Sequence, residues 1–200
     1  GAISLGARAI SFGVRPAAAA PAAPTLGTIT PGNAQLSAAF TAGVSGGSAI
    51  TTYKYSTDNG VSYLTRQTGT TASPIVITTL SSDGTTPLVN GTPYTVLIKA
   101  VNAIGDGAAS NAVAATPATT PSAPTSLVAT GGDAQVSVAF TAGATGGSAI
   151  TTYKYSTDNG ATYLTRQTGT TASPVVITTL SSDGTTPLVN GVTYQIKLKA

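Results

Sequence analysis

The sequence contains no cysteine, histidine, glutamate, methionine or tryptophan. Without cysteine there is no disulfide framework, so core packing alone must stabilise the fold. Histidine, cysteine and glutamate are the usual general bases, nucleophiles and zinc ligands, and all three are missing. The six acidic residues are all aspartates, and no two are neighbours in sequence. We therefore expect a chain that is not an enzyme and that has no catalytic site, metal site or cofactor.

Charge is also scarce, at 8% of the residues, with a formal net charge of +3. The nine lysines and arginines form no basic run and are not interleaved with a row of aromatic residues. Nucleic-acid binding needs such clustering, so we expect no nucleic-acid partner. No apolar run reaches the roughly 18 residues that a membrane span requires, so we expect no membrane span.

A repeat of 100 residues is the strongest feature that is present. Residues 46–91 recur as residues 146–191 with three changes in 46 positions. A unit of this length is too long for a solenoid repeat but fits an independent β-sandwich domain.

Proline-rich segments precede both copies, and proline-rich chain favours an extended, semi-rigid geometry that acts as a spacer. The predicted organisation has five segments: an extended N-terminal segment at 1–15, a Pro/Ala linker at 16–23, a first repeat at 24–116, a Pro/Thr linker at 117–123 and an incomplete second repeat at 124–200.

Within a repeat, short segments alternate apolar and polar residues, as half-buried strands do. In the segment 94–100, alternate positions stay apolar in both copies, namely Tyr94, Val96, Ile98 and Ala100. Between them Leu97 becomes Lys197, and a position that accepts lysine faces water. No segment shows a sustained helical period, which predicts an all-β fold.

The segment Leu88–Tyr94, followed by Val96, Ile98 and the turn Gly105–Gly107, resembles the EF corner, F strand and FG turn of the fibronectin type III family. The resemblance implies tandem immunoglobulin-like sandwiches of seven strands, the second lacking strand G. It also implies that Tyr94 and Tyr194 are tyrosine-corner residues whose hydroxyls bond to backbone upstream. Phe40 and Phe140 replace the family's usual tryptophan, and the turn lacks an Arg-Gly-Asp signal.

The segment Ser56–Tyr63 and its copy Ser156–Tyr163 fit the Asp-box pattern Ser-x-Asp-x-Gly-x-Ser/Thr-aromatic. Its aspartate accepts hydrogen bonds from the turn's own backbone, and its glycine takes a positive φ. We therefore predict a structural hairpin turn in each copy, built on Asp58 and Gly60 and on Asp158 and Gly160.

Three polar residues near the hairpin recur together: Lys54, Arg66 and Gln67 in the first copy, and Lys154, Arg166 and Gln167 in the second. Two interpretations stay open. The six residues could form a repeated face for a glycan or a host receptor. Alternatively, the middle of the repeat was duplicated more recently than its ends, and a solvated sheet face needs some charge in any case. We favour the second interpretation.

Together these features predict a non-catalytic spacer or stalk in an extracellular or virion-surface fibre or cell-surface protein. Its partners would be neighbouring repeats or subunits. One alternative is an adhesion or carbohydrate-binding module, accessory to a secreted glycoside hydrolase. The other is a filament subunit, because residues 5–14 align with residues 104–113 on the strand G that the second repeat lacks. Two explanations of this match stay open: residues 1–14 are the strand G of a preceding repeat in a longer repeating chain, which we favour, or they complete the second sandwich of a neighbouring subunit in a filament.

Overall fold

A computed structural model describes residues 17–166 and 168–200. All regular structure in this part of the chain is β-strand, which confirms the all-β prediction. The strands are β1 (Thr25–Gly32), β2 (Gln35–Thr41), β3 (Ile50–Ser56), β4 (Leu64–Thr65), β5 (Ile75–Ile77), β6 (Tyr94–Asn102), β7 (Gly105–Ala109), β8 (Val113–Ala115), β9 (Thr125–Gly132), β10 (Gln135–Thr141), β11 (Lys154–Ser156), β12 (Leu164–Thr165), β13 (Val175–Ile177) and β14 (Lys197–Lys199).

The first repeat forms two antiparallel sheets, with strand order β1-β2-β5 in one and β4-β3-β6-β7 in the other. The region after β6 makes two strand segments rather than the single strand G of the prediction, because β8 also pairs with β6. The break falls at Asn111, whose side chain accepts a hydrogen bond from the N–H of Leu26 and donates one to its carbonyl, both at 2.9 Å. Asn111 thus ties the end of this sheet to β1 of the other.

The core of the first repeat lies between these sheets. Val96, Ile98 and Ala100 of β6 are fully buried, while Leu97 and Lys99 between them are not. This alternation is the one inferred from the Leu97-to-Lys197 difference. Leu36 and Ala38 of β2 and Ile75 and Ile77 of β5 fill the core from the opposite sheet. The ring of Phe40 packs at a tilt against the ring of Tyr53, with 4.5 Å between centroids.

The second repeat has the same three-stranded sheet, in the order β13-β10-β9, and a smaller second sheet, in the order β12-β11-β14. A separate hydrophobic cluster lies between them, and it includes Val138, Tyr153 and Ile177. Every residue of β9 is exposed, whereas Leu26 and Ile29 of the matching strand β1 are buried. The residues at those two positions of β9 are Ser126 and Ala129.

The proline-rich segments are hydrogen-bonded to the repeats rather than being free spacers. The N–H groups of Ala19 and Ala22 donate to the carbonyls of Gly46 and Val44 at 2.7 and 2.9 Å. The N–H groups of Thr119 and Ser122 make the corresponding bonds to residues 146 and 144 at 2.8 and 2.9 Å. Each segment therefore lies against the repeat that follows it.

The second segment also contacts the repeat that precedes it. The carbonyl of Pro117 accepts a bond of 2.9 Å from Gly91, and the N–H of Ala118 donates one of 3.1 Å to Gly32. Pro117 is fully buried. The proline content predicts an extended segment, but not these bonds in both directions. The domain boundaries drawn from the sequence stay a prediction, and the possible donor segment 1–14 lies outside the described residues.

Candidate functional site

The predicted Asp-box turn is built on a compact set of hydrogen bonds in the hairpin after β3. Asn59 and Gly60 take positive φ values of 59° and 87°. The N–H of Gly60 donates to the hydroxyl of Ser56 at 2.8 Å, and that hydroxyl donates to the Asp58 carboxylate at 2.7 Å. The N–H of Ser62 donates to the same carboxylate at 2.9 Å. The carboxylate thus closes the turn, and the second copy repeats this arrangement around Asp158.

The turn is also hydrogen-bonded to the loop at residues 81–88, which precedes the tyrosine corner and is an insertion relative to the fibronectin type III pattern. The hydroxyls of Ser62 and Ser81 lie 2.8 Å apart. Ser81 and Thr57 exchange hydrogen bonds of 3.0 Å from each backbone N–H to the other's hydroxyl. Both residues are buried. Their hydroxyls are therefore hydrogen-bonded within the fold.

Hydrogen bonding controls the acidity of these carboxyl groups. Burial raises the pKa of Asp58, but hydrogen bonds from Ser62 and Ser56 outweigh it and hold the pKa below its ordinary value. At Asp158 the bonds from the side chain and backbone of Thr162 lower the pKa to about 2. Both groups are deprotonated near neutral pH, and the lowered pKa makes each a weaker base than an ordinary aspartate.

Asp83 lies on the inserted segment and caps its own loop. Its carboxylate accepts bonds of 2.9 Å from the N–H groups of Thr85 and Thr86, and a bond of 2.5 Å from the Thr86 hydroxyl. The Thr86 hydroxyl and then the two N–H groups lower the pKa of Asp83 to about 2. Among the described residues, no three His, Cys, Asp or Glu side chains come together as metal ligands.

Arg66 does not belong to an outward-facing ligand surface, because it is only 9% exposed. Its guanidinium donates to the carbonyl of Ala72 at 2.8 Å, to that of Pro74 at 3.3 Å and to the Thr68 hydroxyl at 3.1 Å. Arg166 makes the same three bonds and is 8% exposed. Each arginine therefore holds the loop that follows it, because a buried guanidinium must find carbonyl partners.

The other members of the predicted face are placed differently. Gln67 is exposed beside Arg66, while Gln167 lies outside the described residues. Lys54 lies on the solvent face of β3, where its ammonium is 2.9 Å from the carboxylate of Asp106 on β7. Lys154 occupies the matching position of β11 and is exposed. Each lysine thus lies on the solvent face of the sheet in its own repeat, away from the buried arginine.

Sequence reasoning missed the second lysine on that face. Lys99 of β6 lies directly opposite Lys54, and its ammonium is 4.1 Å from the centre of the Tyr63 ring. Lys199 of β14 lies directly opposite Lys154 and is 3.9 Å from the ring centre of Tyr163. A signal was present in the sequence, because lysine is retained here in a stretch of nine residues of which six differ between the copies.

Tyr94 forms the contact that the family resemblance implied. Its hydroxyl accepts a hydrogen bond of 3.0 Å from the N–H of Val89, five residues upstream. Nearby, Asn90 accepts a bond from the N–H of Ala34 and donates one to Asn33, both at 2.8 Å. These bonds fix the chain that enters β6 against the turn between β1 and β2.

No protein-family model matches the chain, and no curated protein matches it. Among solved structures, one titled "Myokine structure" is similar over 49% of this chain and 99% of its own, with 18% identity and a TM-score of 0.35. The crystal structure of the chicken CNTN1 FN1–FN3 domains is similar over 90% of this chain, with 18% identity and a TM-score of 0.42. The chain spans 62% of the length of that second structure.

The class of protein is defined by the chain's own strand pairing. Each repeat has two antiparallel sheets around a hydrophobic cluster, and the chain between the sheets passes through a tyrosine corner. This is a fibronectin type III-like β-sandwich fold. None of the described residues lies in a helix that is both long enough and apolar enough to cross a membrane.

Proposed function

We propose that the chain is a non-catalytic spacer module of an extracellular or virion-surface fibre or surface protein, with neighbouring repeats or subunits as its partners. The observation that carries this proposal is the hydrogen-bonded segment 117–122. Its first two residues bond back to Gly91 and Gly32, and its later residues bond forward to Gly146 and Ala144. A segment held at both ends limits the angles that successive repeats can adopt, which is what a spacer requires.

The side-chain chemistry supports the same proposal. The sequence has no histidine, cysteine or glutamate, and the Asp58 and Asp83 carboxylates accept hydrogen bonds from the backbone of their own turns. The hydroxyls around Ser81 are likewise hydrogen-bonded to one another and to backbone N–H groups. These carboxylates and hydroxyls therefore stabilise loops, which supports a structural role.

Small-angle X-ray scattering of the 200-residue chain tests the spacer proposal. A compact globule of this length has a radius of gyration of roughly 16 Å, whereas two sandwiches held end to end should exceed about 20 Å. A radius near 16 Å for the unmodified chain would therefore contradict the proposal.

A matched pair of variants tests the role of the segment itself. Thr119→Pro removes the N–H that bonds to Gly146, and it should broaden the distribution of distances between the repeats. The control is Thr120→Ser, which leaves every backbone donor in place and should leave the scattering curve unchanged. An identical curve for both variants would mean that the bond to Gly146 does not limit the angle between the repeats.

A further inference from the structure

All five lysines of the chain lie on one kind of surface. They are Lys54 on β3, Lys99 on β6, Lys154 on β11, and Lys197 and Lys199 on β14. These strands belong to the same sheet in each repeat, and the lysines point away from the core. Arg66 and Arg166 are buried in loops, and the two remaining arginines lie outside the described residues. The exposed positive charge of the described residues is therefore concentrated on the same sheet face of each repeat, named the lysine face below.

The arrangement of the lysine face does not favour the stability of the fold. Lys54 and Lys99 are direct partners across two strands, as are Lys154 and Lys199. Neighbouring strands are only about 4.8 Å apart, and like charges directly opposite one another are destabilising. Asp106 offsets the charge of Lys54 in the first repeat. Both repeats nevertheless keep the lysine pair.

The stretch 92–100 shows how selectively lysine is kept. Only Tyr94, Lys99 and Ala100 are identical in the second copy. Tyr94 makes the corner, and Ala100 is fully buried, so both have a reason in the fold. Packing against Tyr63 accounts for the position of the Lys99 ammonium, but this half-buried group has three N–H donors and can still bond to an outside acceptor. The change from Leu97 to Lys197 adds one more positive charge to the same face.

We propose that the lysine face binds a linear anionic polysaccharide that carries sulfate or carboxylate groups. Lysines opposite one another on neighbouring strands suit such anions, and their recurrence at a period of 100 residues would let one polymer contact successive repeats. Nucleic acid is disfavoured because base stacking needs open aromatic rings, and the rings of Tyr63 and Tyr163 each have a lysine ammonium over them. This inference goes beyond the spacer role and does not depend on it.

Isothermal titration of the 200-residue chain with dextran sulfate, polygalacturonate and neutral dextran tests the proposal. We expect binding to at least one of the two anionic polymers and none to neutral dextran. Comparison of the two polymers separates sulfate from carboxylate recognition. Raising the salt concentration from about 50 to about 200 mM should weaken the binding, because exposed charges are screened.

Variants locate the binding surface. Lys99→Gln with Lys199→Gln should weaken binding at least about tenfold, the loss expected for charge-assisted contacts. Lys197→Leu, which restores the residue of the first repeat, should weaken it by a smaller factor. The matched control is Val76→Glu with Val176→Glu, which lowers the net charge by the same amount on exposed positions of the other sheet. That control should retain most of the affinity.

Several outcomes would overturn the proposal. One is an absence of binding to both anionic polymers. Another is an equal loss of affinity in the lysine variants and in the Val76 control, which would indicate a response to net charge alone. Tighter binding to single-stranded DNA than to either polysaccharide would overturn the assigned partner. The thermal unfolding midpoint of each variant shows whether it is folded, and scattering of the unmodified chain tests the spacer role separately.

Discussion

The hydroxyl group of Tyr94 accepts a hydrogen bond of 3.0 Å from the backbone N–H of Val89. Tyr194 makes the same contact with Val189 at 2.9 Å. In each repeat the bond closes the short stretch of chain between the valine and the tyrosine. Because the donor is a backbone group, its geometry survives the differences between the copies at residues 92 and 93.

Removing this hydroxyl should destabilise the first repeat. We expect Tyr94→Phe to lower the free energy of unfolding by about 1 kcal/mol, the typical net value of one hydrogen bond. Urea unfolding measures the change. Thr92→Val is the control, because the second repeat already carries Val192 in the same corner. Equal stability of Tyr94→Phe and the unmodified chain would show that the corner bond contributes little.

Two adjacent residues of β6 should respond very differently to substitution. Ile98 is fully buried, so Ile98→Ala should cost about 2–5 kcal/mol. Leu97 lies on the solvent side, and Leu97→Lys should cost less than about 1 kcal/mol, since Lys197 occupies that position in the second repeat. Chemical denaturation distinguishes the two. Unfolding of the Leu97→Lys variant would invalidate the face assignment.

Arg66 should be needed for the order of the loop that follows it. Arg66→Lys keeps the charge but loses the planar fork that reaches two carbonyls and a hydroxyl. We expect a loss of about 1.5–3 kcal/mol and faster proteolytic cleavage within residues 68–73. Gln67→Ala, at the exposed neighbouring position, should change stability by less than about 0.5 kcal/mol. An uncleaved loop in Arg66→Lys would mean that the loop is ordered without the arginine.

Acid should destabilise the protein within a defined pH range. Hydrogen bonds from Thr86 and Thr186 hold the pKa values of Asp83 and Asp183 at about 2 in the folded chain, against about 3.9 for an unfolded aspartate. Their stabilising effect is therefore complete above about pH 4 and is lost as the pH falls towards about 2. Thermal unfolding midpoints across this range measure it.

The pH dependence has matched variants for its test. Asp83→Asn with Asp183→Asn should lower the midpoint near neutral pH and flatten its decline between about pH 4 and about pH 2. Ser82→Ala with Ser182→Ala alters exposed neighbours and should leave the decline unchanged. An unchanged decline in the asparagine variant would assign the acid sensitivity to other carboxyl groups.

The sequence was informative where the two copies differ at a single position of a strand and where a motif depends on near neighbours in the chain. The contrast between Leu97 and Lys197 identified the solvent side of β6, because burial of an ammonium is too costly to be tolerated there. The Asp-box spacing identified the turn at Asp58 and Gly60, because local hydrogen bonds depend on near neighbours in the chain. Alternation and local turns are properties of short segments, and the repeat period is found by comparing the two copies.

The sequence was uninformative where partners are distant or depend on the path of a loop. Nothing near Arg66 shows that the following loop turns its carbonyls back towards the guanidinium. The bonds from Pro117 and Ala118 back to the first repeat join segments that are far apart in the chain. The lysine face was overlooked for a related reason, because residues 54 and 99 become neighbours only when β3 pairs with β6.

Amide hydrogen exchange followed by NMR tests the central claim most directly, namely that the proline-rich segment is bonded to both repeats. The four N–H groups concerned belong to Gly91, Ala118, Thr119 and Ser122. We predict that all four are protected, and that Thr119→Pro leaves protection at Gly91 intact while it reduces protection at Ser122. Exchange at the unprotected rate at Ala118 and Thr119 in the unmodified chain would contradict the claim, because the segment would then be a free linker.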